Sequence, residues 1–187
     1  MPPNHGARVS ADPHPATRPR VSVQAADFDL SAEVARLREG DGSVGAVVSF
    51  VGTVRDRNDG VGVGAMELEH YPGMTERAIE AMIDTAEGRF DIRAARVVHR
   101  VGLLQPLDQI VLVAVASAHR GEAFQACEFL MDYLKTQAPF WKKETTPEGA
   151  RWVDARSADD AALARWGVVA VNAEPVADAP PADRARR

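Results

Sequence analysis

The sequence predicts an α+β domain. Strand-like and helix-like runs follow one another without the regular alternation of a doubly wound parallel sheet. Three stretches carry that expectation. Residues 45–54 (GAVVSFVGTV) and 109–118 (QIVLVAVASA) are apolar and β-branched, while Ala123, Phe124, Cys127, Leu130, Met131 and Leu134 trace one face of a helix. At 187 residues, 45% of them hydrophobic and 26% charged, the chain is long enough for one well-buried core and short for two.

The ends, residues 1–20 and 173–187, are rich in Pro, Ala, Asp and Arg without apolar periodicity and read as disordered tails around a body spanning 21–172. Within the body, Ser31 is the expected N-cap of a short helix through Arg38, with Gly40 placed to end it. The strand at 45–54 breaks into a polar turn over 55–60. Residues 66–69 alternate apolar and charged, as a strand with one wet face does. Ile79, Met82, Ile83, Ala86 and Phe90 recur at helical spacing and predict a helix from Thr75 to Arg89. Residues 96–101 read as a strand, and 109–118 as a central strand buried on both faces. Pro139 stops the long helix that follows. A short strand at 152–153 and a last helix from Ser157 to Trp166 complete the body.

A net charge of -5 offers no field to draw in a polyanion, so general nucleic-acid binding is not expected and any anion site must be local. One cysteine, Cys127, allows no internal disulfide and no C-x-x-C pair; it falls inside the apolar helical stripe and reads as core packing. A reducing, cytoplasmic setting is the default reading. No stretch has the length of a membrane span or the apolar core of a secretion signal.

Residues 117–143 hold the chemistry. A buried strand delivers His119 and Arg120 to the start of the long helix, where free backbone N–H groups and the helix dipole favour an anion. Lys135, beside Leu134 near the other end, is expected at the margin of the apolar stripe. After the turn, Pro139-Phe140-Trp141-Lys142-Lys143 returns more cations. In an extended segment Lys142 and Lys143 point to opposite sides, so only one shares a pocket with Lys135. Taken singly, these features have plainer explanations. Lysines at helix ends commonly complement the dipole in solvent, and a histidine at a sheet end is commonly just hydrogen-bonded. Arg57 and Arg100 read equally well as surface charges. His70, His99 and His119 show no diagnostic metal-ligand spacing. No nucleophile elbow, P-loop or dinucleotide fingerprint is present.

Several separated strings, GAVVSFVGTVRDRN, LEHYPGM, VHRVG, SAHRGEAFQAC, MDYLK and PFWKKE, occur in the order found in the large, catalytic subunit of molybdopterin synthase, the MoaE family, and the chain resembles that family from Val21 to Trp166. The resemblance implies an α/β-hammerhead-like single domain with a mixed or antiparallel sheet packed with helices. It implies a sulfurtransferase without a cofactor. Sulfur would pass from the thiocarboxylated C-terminus of a small ubiquitin-like subunit to cyclic pyranopterin monophosphate, forming the dithiolene. In the MDYLK string the family's central catalytic lysine falls on Lys135, and in WKKE the second essential lysine falls on Lys142. His119, Arg120 and Arg55 are expected to hold the substrate and its cyclic phosphate, with Thr53, Val54, Lys143 and Glu144 in the same binding set. The family forms homodimers in which a neighbouring arginine completes the pocket, with Arg55 as the candidate. One departure is visible: Pro106-Leu107-Asp108 stands where the family usually has a glycine before the acidic residue. Two rival readings remain, a phosphate-ester hydrolase or transferase using His119 as base, and a non-enzymatic anion-binding module.

Overall fold

The computed structural model describes residues 19–58, 60–147, 149–153, 162 and 164–168. The two expected tails and the start of the expected last helix lie almost wholly outside these residues. Along the described chain run β1 (Val21–Gln24), α1 (Leu30–Leu37), β2 (Ala46–Thr53), β3 (Arg57–Asn58), β4 (Val61–Gly62), β5 (Ala65–His70) and α2 (Met74–Glu87). There follow β6 (Ile92–Arg100), β7 (Gly102–Leu104), β8 (Gln109–Ser117), α3 (Arg120–Gln137), β9 (Phe140–Thr146) and β10 (Gly149–Val153).

Two four-stranded sheets organise these elements. The first has the order β1-β6-β8-β2, with β1 parallel to β6 and the other pairs antiparallel. The second, β10-β9-β5-β7, is antiparallel throughout. β8 is apolar without alternation because both of its faces are covered. Val111, Val113 and Val115 join a core built from α2 and α3 through Ile79, Ile83, Cys127, Phe129 and Leu130. Leu112 and Ala114 face the other way, onto Phe28, Val98, and Leu30 and Leu37 of α1. A strand buried on both sides has no polar face to keep wet, and its sequence shows that.

Local chemistry sets the element ends. Asp29, not Ser31, caps α1, its side chain accepting a hydrogen bond from the Ala32 N–H at 3.0 Å. Both residue types can cap, and the chain enters the helix two positions earlier than the serine suggests. Gly40 takes a positive φ of 79°, ending the turn that leaves the helix. Arg20, expected in the tail, already belongs to the body: its guanidinium lies 2.6–3.1 Å from Glu80, Asp84 and Glu87, a row of carboxylates along α2. Gly45 is required where β2 begins, because a Cβ there would overlap the carbonyl oxygen of Ala118.

The turn from β7 to β8 departs from the rules of its own sequence. The Asp108 N–H donates to the Gln105 carbonyl at 3.0 Å, and Leu107, third residue of the turn, has φ of 78°. This is the type II arrangement, which suits proline second and glycine third; here leucine occupies the glycine place. Leu107 is the one non-glycine residue with positive φ among the described residues. The turn is held by Val54, whose N–H donates to the Asp108 carbonyl and whose carbonyl accepts from Leu107, both at 2.9 Å.

At the far end of the described chain, Trp166 packs edge-on against Phe90 and Phe129. Its indole N–H and the Arg165 guanidinium both reach Asp132 of α3, at 2.8 and 2.7 Å.

Candidate active site

The second sheet positions the first part of the site. β9 follows Pro139 directly and pairs with β5 so that Leu68 stands opposite Lys142, Glu67 opposite Lys143 and Met66 opposite Glu144. Side chains directly opposite in an antiparallel pair share a face, and successive residues alternate. Lys142 and Glu144 therefore share the face of buried Met66 and Leu68, while Lys143 is on the other face with Glu67. The expected division of the two lysines holds, with Lys142 on the face that carries Glu144.

Glu144 is only 3% exposed, and its Oε1 lies 3.0 Å from the Lys142 Nζ. The buried carboxylate has a second polar neighbour. Asn58, 4% exposed, donates its side-chain amide to both oxygens, at 3.0 and 3.1 Å. The carbonyl oxygen of Asn58 faces outward and accepts from the Arg55 guanidinium at 3.4 Å. A chain of polar contacts thus runs from exposed Arg55 through Asn58 and Glu144 to Lys142. An isolated buried carboxylate would be costly; here a cation and an amide satisfy it. The region read as a polar turn at 55–60 is a small β3–β4 hairpin whose Asn58 tucks beneath β9. Sequence reasoning missed Asn58, because an asparagine in a polar turn carries no sign of burial. The i, i+2 spacing of Lys142 and Glu144 on β9 was the available signal for their pairing.

Lys135 lies in the last turn of α3 and is exposed, whereas partial burial was expected. The apolar stripe passes through Leu134 and reaches the buried methyl of Thr136, and Lys135 falls between them on the outer side. It precedes the Pro139 bend by one turn, so it belongs to the same end of the helix as β9.

The second part of the site is remote from the first. His119 is the N-cap of α3, in extended conformation and without a side-chain cap bond, and His119 and Arg120 are exposed. With Gly45, Ala46, Ala118 and Gly121 they line an open recess of about 450 Å³. Residues 119 and 135 are separated along a straight helix by about 24 Å, at 1.5 Å per residue. The two helix ends, expected in one binding set, therefore do not meet in one hollow within a single chain. Thr53 is exposed at the end of β2, near Arg55 in sequence. Val54 is buried with Met66, Leu68 and Leu104, and both its backbone groups are committed to the 105–108 turn.

The remaining histidines do other work. His99 stacks on Phe140 with centroids 3.8 Å apart, and His70 stands 6.5 Å from the same ring. His119 is at the start of α3, so the three do not gather. No cluster of three or more His, Cys, Asp or Glu side chains suited to a metal occurs among the described residues. Cys127 is buried, its Sγ 3.9 Å from the Val113 carbonyl, and burial pushes the thiol up to about 11. A thiol so far from ionisation at neutral pH is core packing. No helix among the described residues is long and apolar enough to cross a membrane.

Fold and side-chain chemistry together define a small α+β domain that presents arginine and lysine side chains at opposite ends of α3. The family model described as MoaE protein matches residues 23–137. The chain is 67% identical over 155 residues to the molybdopterin synthase catalytic subunit of Ralstonia nicotianae, covering 83% of this chain and 88% of that one. Among solved structures it is similar to the molybdopterin biosynthesis MoaE protein of Burkholderia ambifaria, with 62% identity, a TM-score of 0.70, and 81% and 99% of the two chains covered. The molybdopterin synthase of Staphylococcus aureus is 33% identical, with a TM-score of 0.64 and coverage of 71% and 95%. The chain belongs to the MoaE family, the catalytic subunits of molybdopterin synthase, sulfur-transferring enzymes of molybdenum cofactor biosynthesis.

Proposed function

We propose that this chain takes sulfur from the C-terminal thiocarboxylate of a small ubiquitin-like subunit and places it on cyclic pyranopterin monophosphate, building the dithiolene. The observation that carries this reading is the Lys142–Glu144 pair at 3.0 Å, seven residues past Lys135 and across the Pro139 bend. A lysine tethered to a buried carboxylate is pre-oriented, so little ordering remains to be done when charge develops on the substrate. Lys135 orients the incoming thiocarboxylate and stabilises negative charge during transfer. Lys142 neutralises the pterin substrate or moves a proton. Sulfur comes from the partner, because the only cysteine is a buried thiol that stays protonated. The dithiolene needs two sulfurs, so a spent partner is exchanged for a loaded one.

His119 and Arg120 hold the cyclic phosphate in this reading, and the length of α3 supports their doing so across a homodimer interface. The helix start of one protomer then faces the lysine end of its partner. Arg55, first considered as the residue donated by the neighbour, stands on the lysine side of its own chain through Asn58. Thr53 and Lys143 border the substrate at the rim. The setting is the cytoplasm, where the thiol pool keeps a lone cysteine reduced.

The test is reconstitution of the chain with thiocarboxylated small subunit and cyclic pyranopterin monophosphate, followed by dithiolene formation. Lys135→Ala and Lys142→Ala are expected to lower turnover by about a hundredfold or more, with folding intact. Full activity in Lys135→Ala removes the central assignment. Phosphate-ester hydrolysis without any protein partner favours the hydrolase reading instead.

A further inference from the structure

We propose that Asn58 is a positioning residue for sulfur transfer, holding the Glu144 carboxylate against Lys142 and linking that pair to Arg55. The inference rests on the reading of Lys142 as a working cation. It names a residue in the β3–β4 hairpin that the sequence left as turn.

The geometry allows one assignment of the amide. Carboxylate oxygens accept only, and a guanidinium donates only. Asn58 lies between the two, so its NH₂ group faces Glu144 and its carbonyl faces Arg55. By contacting both oxygens of Glu144, the amide sets the carboxylate's rotation about its own axis. Lys142 then meets an oxygen whose direction the amide helps to set. Asn58 and Glu144 are both buried while Lys142 is about a third exposed, so the support is internal and the working group faces outward. Packing alone would be served by leucine, which has the branched outline of asparagine with bulkier methyl ends. A group that donates to a buried anion and accepts from an exposed guanidinium accounts for an amide at this place.

Steady-state turnover of the whole chain with its thiocarboxylated partner and pyranopterin substrate tests this, with thermal midpoints measured in parallel. Asn58→Leu is expected to reduce kcat by about tenfold while changing KM for the pterin by less than about threefold. The double substitution Asn58→Asp with Glu144→Gln exchanges amide and carboxylate across the same hydrogen bonds. It should recover the thermal midpoint lost in Glu144→Gln yet leave kcat as low as that single variant, since the negative charge has moved away from Lys142. Unchanged kcat in Asn58→Leu overturns the proposal. So does a double variant that regains turnover together with stability, because Asn58 would then be structural only. Where Asn58→Leu does not fold, the double variant decides alone. Lys142→Ala in the same assay separates the two claims. Full turnover there sinks the role of Lys142, whereas an inactive Lys142→Ala beside an unaffected Asn58→Leu sinks the positioning role alone.

Discussion

The imidazole of His99 lies flat on the phenyl ring of Phe140, with centroids 3.8 Å apart and planes inclined by 17°. Phe140 opens β9, two residues before Lys142, so the stack fixes where the strand that bears Lys142 begins. His99 is 8% exposed, and its Nδ1 lies 2.9 Å from the Arg100 carbonyl. A neutral ring suits that stack, and burial pushes the imidazole down to about 4.

That depression makes stability depend on pH. In the unfolded chain a histidine protonates near pH 6.5, whereas the folded chain resists until about 4. As pH falls through this window the unfolded state takes up the proton first. The contribution is intact above about pH 6.5, declines between 6.5 and 4, and is spent below. Denaturant melts at pH 7 and at pH 4.5 should therefore show the native chain losing about 2–3 kcal/mol more than His99→Phe does over the same interval. Equal losses in the two proteins would mean that His99 is not the group being titrated.

The proposed sharing of a site across the dimer makes a prediction for mixtures. Arg120→Ala and Lys135→Ala, each inactive alone, should regain activity when co-refolded. A mixed dimer would carry one site with both defects and one with neither. With random pairing, recovery of about a quarter of native turnover is expected. A mixture that stays as inactive as its parents would return His119 and Arg120 to some role outside the site.

Leu107 holds a left-handed backbone that its Cβ opposes, and its side chain, 85% exposed, gains little from packing. Leu107→Gly removes that opposition, partly offset by the freedom glycine has when unfolded, and should stabilise the chain by about 0.5–1 kcal/mol. The thermal midpoint reads the change directly; a lower midpoint would show that the leucine side chain makes a contribution larger than the backbone strain.

Much of the architecture was legible before any coordinates. β8 announced burial on both faces by having no polar position to spare, and α3 announced its buried face through Ala123, Cys127, Leu130 and Leu134, whereas Phe124, read onto the same face, is 61% exposed. Pro139 marked the bend, and the alternation of Lys142 and Lys143 to opposite faces followed from strand geometry. The capping residue of α1 was misread because Asp29 and Ser31 carry equivalent chemistry two positions apart. The same limit applied to Arg20, whose place in the body depends on a row of carboxylates on α2, sixty residues and more along the chain.

Local pattern alone sets which residues alternate, which stack into one helical face and where proline forbids continuation, since these depend on backbone geometry over a few residues. Tertiary structure alone decides that Asn58 meets Glu144 of β9, that both are buried there, and that Arg20 meets a row of carboxylates on α2. Those outcomes depend on distances between segments remote in sequence, which periodicity does not encode.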